Sequence, residues 1–154
     1  MKPIKTLLGA IAILIISISA AFAGAEVNVT TTGLALRGVD PVSYFKSGAP
    51  QTGDFKITAV YDGAIYRFST EKNKVAFVSD PGKYLPQYGG YCAMGLKMGQ
   101  KLDGDPAVWS IIGGKLYLNV APAVKKMWRK DTAANIAAAN AKWPEVKDKD
   151  PSAL

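Results

Sequence analysis

Two hairpin turns constrain this chain more than any other feature. Asp62-Gly63 separates Phe55–Val60, whose Phe55, Ile57 and Ala59 alternate onto one face, from the return run Ile65–Phe68. An Asp-Gly pair between alternating apolar residues is a strong hairpin signal. Gly113-Gly114 does the same between Val108–Ile112 and Leu116–Leu118. A helix start follows each hairpin. Ser69-Thr70 is placed to cap a helix through Lys74–Val78, stopped by Asp80-Pro81-Gly82, and Pro122 opens a helix carrying Val124, Met127 and Trp128. The two stretches match at an offset of 51 residues: Gly63 with Gly114, Ile65 with Leu116, Tyr66 with Tyr117, Phe77 with Trp128, Asp80 with Asp131. The expectation is an α+β domain of two related β-hairpin–helix units with about four helices. Asp131-Thr132 caps the last of these, an alanine-rich helix over Ala133–Trp143.

The chain of 154 residues divides as a leader, a short N-terminal segment, one domain and a tail. Residues 1–23 read as a signal peptide. Lys2 and Lys5 precede an apolar run from Leu7 to Ile18, and Ala21-Phe22-Ala23 supplies small residues for cleavage. The expected product is periplasmic or secreted and, once cleaved, not an integral membrane protein. Residues 24–37 read as a leader or edge strand, 38–143 as the single domain and 144–154 as a charged, frayed tail. The leader carries two of the 19 basic residues and none of the 12 acidic ones, which leaves a mature net charge of +5. Those charges are spread along the chain, whereas a nucleic-acid partner calls for a clustered basic face, so none is expected.

The chain has no histidine. That excludes Ser-His-Asp and Cys-His nucleophile systems, imidazole zinc sites and blue-copper centres. No paired catalytic carboxylates stand in their place, and the expected function is non-enzymatic.

Unusual chemistry is concentrated in the link between the units. Tyr88-Gly89-Gly90-Tyr91-Cys92-Ala93-Met94-Gly95-Leu96-Lys97-Met98-Gly99 holds the only cysteine and two of the four methionines. Thiolate and thioether donors favour Cu(I). Met94 and Met98 are i, i+4 and would share one face of a helix, with Cys92 in the glycine turn that starts it. The same residues also fit an apolar stripe with a small buried thiol. Tyr88 and Tyr91 flank the glycines and could form an apolar pocket with polar tips. Tyr44, Tyr61, Tyr66, Tyr84 and Tyr117, with Trp109 and Trp128, could line a cavity or simply fill a tyrosine-rich core.

Asp40-Pro41-Val42-Ser43-Tyr44-Phe45, the Tyr61–Ser69 hairpin, and Phe77 followed by Asp80-Pro81-Gly82-Lys83-Tyr84 resemble the YHS domain family, and its exported bacterial members in particular, over about residues 38–143. The resemblance implies a treble-clef-like fold and a link to metal handling, with a copper transporter or a metalloprotein acceptor as partner. The metal cysteines of that family would fall at Ser43, Ser69 and Asn73 here, so the usual ligand set is absent. Two functions stand as expectations: copper binding or trafficking through Cys92 with Met94 or Met98, and a metal-free module that binds a ligand or protein through an aromatic surface.

Overall fold

The computed structural model describes residues 26–154. The signal-peptide segment 1–23 lies outside the described residues, as do the first two positions of the segment 24–37. No helix among the described residues is long and apolar enough to cross a membrane.

The fold is α+β. Its elements in order are α1 (Ser43–Lys46), β1 (Asp54–Tyr61), β2 (Ala64–Phe68), α2 (Glu71–Ser79), α3 (Pro81–Tyr84), α4 (Ala93–Lys97), β3 (Asp105–Ile112), β4 (Lys115–Asn119), α5 (Pro122–Trp128) and α6 (Thr132–Val146). β1 pairs only with β2 and β3 only with β4, giving two antiparallel two-stranded sheets. Among the described residues six α-helices stand where about four were expected. The excess comes from one-turn pieces such as α1, too short to leave a periodic signal in the sequence.

The 51-residue echo is structural. Asp54 pairs with Phe68 and Thr58 with Arg67; 51 residues on, Asp105 pairs with Asn119 and Trp109 with Leu118. Both first strands bulge at the same place, between Asp54 and Thr58 and between Asp105 and Trp109. Each bulge opens on an aspartate whose Oδ1 accepts a backbone N–H two residues on, from Lys56 or Ala107, at 2.8 Å. The turns match too, with positive φ at Asp62 and Gly63 and at Gly113 and Gly114. This is the left-handed pair that a two-residue type I′ turn demands. Even the close approaches recur. A Cβ on Gly53 would fall 2.5 Å from Arg67 Cβ, and one on Gly104 would fall 2.8 Å from Leu118 Cβ.

The bulge explains a departure from strict alternation. Phe55 was expected on the inner face with Ile57 and Ala59. Ile57 and Ala59 do pack on the first core, but Phe55 is 68% exposed. An inserted residue shifts the side-chain phase of a strand by one, and everything before the bulge changes face. Asp105 and Pro106 begin β3, and the Pro106 carbonyl accepts a 2.8 Å hydrogen bond from the Tyr44 hydroxyl.

Each unit builds its own core. Ala64, Tyr66, Phe68, Phe77 and Tyr84 fill the first; Tyr117, Leu96, Trp128, Ala139 and Val146 fill the second. Tyr44 reaches from α1 into a third cluster with Leu36, Leu116 and Leu118, and its ring meets Trp109 edge-on at 5.4 Å. That cluster joins the units. Full burial of side chains of this size stabilises by roughly 1.5–3 kcal/mol each.

Both ends are more tightly held than the sequence suggested. Ala35 and Leu36 are buried, and Leu34 bridges Ile65 on β2, so the segment before residue 38 packs into the first unit. At the other end α6 runs past Pro144 to Val146, which is 4% exposed. Pro144 falls in the last turn, where the cost of its missing N–H is small beside the burial of Val146. Lys101 then donates from Nζ to the carbonyl oxygens of Lys147 and Lys149 and satisfies carbonyls beyond the helix end. The expected fraying at 144 therefore gives way to a docked tail.

Candidate functional site

The linking stretch forms by backbone strain and burial together. Tyr88, Gly89 and Gly90 all have positive φ, in a tight turn over Gln87–Gly90. A non-glycine residue with positive φ is uncommon and persists only where its surroundings fix it. Here the Tyr88 ring is fixed by Trp143 at 5.8 Å and Tyr117 at 6.0 Å, and its hydroxyl donates to Asn140 Oδ1 at 2.9 Å. Leu36, Arg37 and Gly38 make the same run of positive φ in the first unit. Asp40 N–H donates to the Gln51 carbonyl, and Cys92 N–H donates to the Leu102 carbonyl. Cys92 thus holds in the second unit the place that Asp40 holds in the first.

The structure places the three soft donors in three environments. Cys92 is fully buried, and its Sγ donates to Asn119 Oδ1 at 3.8 Å. Met94 is half-buried against the second core, and its N–H donates to the same Asn119 oxygen at 3.4 Å. Met98 is 62% exposed. α4 ends at Lys97, and Met98 caps it with φ −91° and ψ 1°. Met98 therefore stands just past the helix on which the two methionines were expected to share a face, and Gly99 with its positive φ turns the chain one residue later. Asn119 brings Cys92 and Met94 to one amide. Among the described residues there is no group of three or more His, Cys, Asp or Glu side chains that could hold a metal ion.

Ser43, Ser69 and Asn73 come together around Asp40. Its carboxylate is fully buried. Oδ2 accepts from Ser69 N–H at 2.8 Å, Ser69 Oγ at 2.7 Å and Asn73 Nδ2 at 2.7 Å, while Oδ1 accepts from Val42 N–H at 2.8 Å. Ser43 Oγ donates to the Asp40 carbonyl and accepts from Gln51 N–H. Four donors satisfy this carboxylate without a cation.

Tyr88 and Tyr91 separate. Tyr91 is buried beneath the Lys101 ammonium, 5.2 Å from its ring centroid, and burial with Asp103 and Asp150 nearby pushes its phenol up to about 12. Tyr88 instead lines an open cleft of about 750 Å³ between the first hairpin and α6. The aromatic walls of this cleft are Tyr61 and Tyr66 from the first hairpin, Tyr88 from the link and Trp143 from α6, with Val27, Leu85 and Pro86 adding apolar surface. Among the described residues its carboxylates are Glu26, Asp62 and Asp148, and no lysine or arginine lines it.

Tyr61 and Tyr66 were visible in the sequence as possible cavity residues; Trp143 and the three acids were not. The available signal was Trp143 itself, a large aromatic near the end of an alanine-rich helix. The acids come from three distant segments, and only the fold assembles them. No protein-family model, curated protein or solved structure matches this chain.

Proposed function

We propose that this protein is a non-enzymatic binding module whose working surface is the aromatic cleft between its first hairpin and α6. The observation that carries this reading is the cleft itself. Ligand sites are concave and mostly apolar with a few polar groups, commonly of 300–1,000 Å³, and this one has about 750 Å³. It lies where the two units and the docked tail meet, so its walls come from separate elements held by separate cores.

Further support comes from the positions that carry metal cysteines in YHS domains. Here they form a closed hydrogen-bond network on Asp40, which has no need of a metal. The absence of histidine and of paired catalytic carboxylates supports binding without turnover.

The test is titration of ¹⁵N-labelled protein with small aromatic compounds. The amides of Gly63 and Gly89, both of which line the cleft, should shift together, and Trp143→Ala should weaken binding about tenfold. Shifts confined to other residues would overturn the reading.

One observation favours a second reading, copper bound through Cys92 and Met94: the Cys92 thiol and the Met94 backbone N–H share the Asn119 oxygen. It has less support, since Cys92 has no exposed surface and Met98 lies apart in solvent.

A further inference from the structure

The cleft has a sign as well as a shape. The chain carries 19 basic residues against 12 acidic ones, yet among the described residues this cleft is lined by Glu26, Asp62 and Asp148 and by no basic side chain. Lys147 stands beside it, 3.7 Å from Glu26 and 3.4 Å from Asp148. Both contacts are half-exposed surface pairs of the kind worth under about 1 kcal/mol. Counting Lys147, the acids still outnumber the bases. Asp62 has no ion-pair partner among the described residues.

A second observation is independent of the acids. Four aromatic rings line the cleft, those of Tyr61, Tyr66, Tyr88 and Trp143. Aromatic faces add the electron-rich surface that attracts cations, most strongly from Trp. Trp143 and Tyr61 supply such faces beside the carboxylates. An anion would meet like charge here, and a neutral apolar ligand would leave the carboxylates unused.

Building on the cleft-binding reading, we infer that the ligand is an organic cation: an ammonium head with an apolar or aromatic body, its charge facing Asp62 and Asp148 and its body against Tyr61 and Trp143. Charge attraction between exposed groups acts over about one Debye length, roughly 8–10 Å, so the local acids outweigh distant lysines.

Three probes test this: benzyltrimethylammonium, benzyl alcohol and benzenesulfonate, each titrated into the ¹⁵N-labelled protein. The cation should shift the Gly63 and Gly89 amides and bind at least about tenfold more tightly than the other two. Its affinity should fall several-fold in the Asp62→Asn/Asp148→Asn double variant. Asparagine tolerates the positive φ at position 62, so the turn survives that change. If benzyl alcohol or benzenesulfonate binds equally well at those amides, the cation inference fails and the cleft reading stands. If the double variant binds the cation with unchanged affinity, the assignment to these acids fails. If none of the three probes shifts those amides, the cleft reading falls as well.

Discussion

Asp40 and Cys92 are equivalent residues in two copies of one design. Each follows a run of three positive-φ residues and donates its N–H across to the segment before the next hairpin, Asp40 to Gln51 and Cys92 to Leu102. The surroundings have diverged. Asp40 collects polar donors from Ser69, Asn73 and Val42, and Cys92 is left with one long contact to Asn119. The polar copy is therefore the more expensive to disturb.

Asp40→Ala should destabilise the protein by at least about 3 kcal/mol. It leaves the N–H groups of Val42 and Ser69 without this acceptor and takes one of two acceptors from the Asn73 amide, and each unsatisfied buried donor costs about 1–3 kcal/mol. Cys92→Ala removes one small buried atom and one weak bond, and should cost about 1 kcal/mol. Urea unfolding of the two variants measures the difference. Equal losses would mean that the Asp40 network contributes nothing beyond packing.

The two turns should respond alike. Gly63→Val puts a β-branched residue at φ +73°, and Gly114→Val does so at φ +74°. The left-handed region costs an L residue about 1–2 kcal/mol, more for a branched one. A Cβ at Gly114 meets nothing within 4 Å, so at that turn the loss is conformational and not steric. Thermal unfolding should show a drop of several degrees for each variant. An unchanged melting temperature in either would rule out the type I′ turn there.

How much of this was readable beforehand follows from the range of each interaction. Asp62-Gly63, the Thr70 cap and Pro122 are local signals, and the chain obeys them; Thr70 Oγ1 accepts from Asn73 N–H at 3.1 Å. The 51-residue offset was readable because Gly63, Tyr66 and Phe77 keep their types at Gly114, Tyr117 and Trp128. The bulges were not, because a bulge is a property of pairing between strands, and Phe55 was put on the wrong face. The docked tail was missed for a similar reason. Lys101 reads as an ordinary surface lysine until α6 brings the carbonyls of Lys147 and Lys149 to its ammonium. The cleft was half legible. Its tyrosines announce themselves by type, but Glu26, Asp62 and Asp148 are ordinary surface acids until folding gathers them.

Alkaline pH should unfold the protein in a defined direction. Burial raises the phenols of Tyr44, Tyr66 and Tyr88 well above their usual 10, and holds Tyr91 at about 12. A folded pKa above the unfolded one gives stability that is fully present below pH 10 and is lost as pH rises through the folded values. The unfolding free energy should therefore fall progressively above pH 10. Tyrosinate absorbance from these four residues should appear together with loss of near-ultraviolet circular dichroism. Ionisation of all seven tyrosines near pH 10 with the fold intact would contradict their burial.

The last prediction separates the two binding readings at Cys92. Its thiol has no exposed surface, so thiol reagents should label it slowly in the native protein and at once in denaturant. A metal would have to reach the same sulfur. On the cleft reading, wild type and Cys92→Ala take up equal Cu(I) under reducing conditions, measured against a competing chelator. The copper reading requires the opposite: one extra equivalent in wild type, lost in Met94→Leu, whose backbone N–H shares the Asn119 oxygen with the Cys92 thiol, and kept in Met98→Leu, whose side chain stands in solvent. Leucine conserves the apolar volume at both sites, so loss of copper without loss of stability would identify a ligand. A wild-type excess with that pattern would move the working site from the cleft to the link between the units.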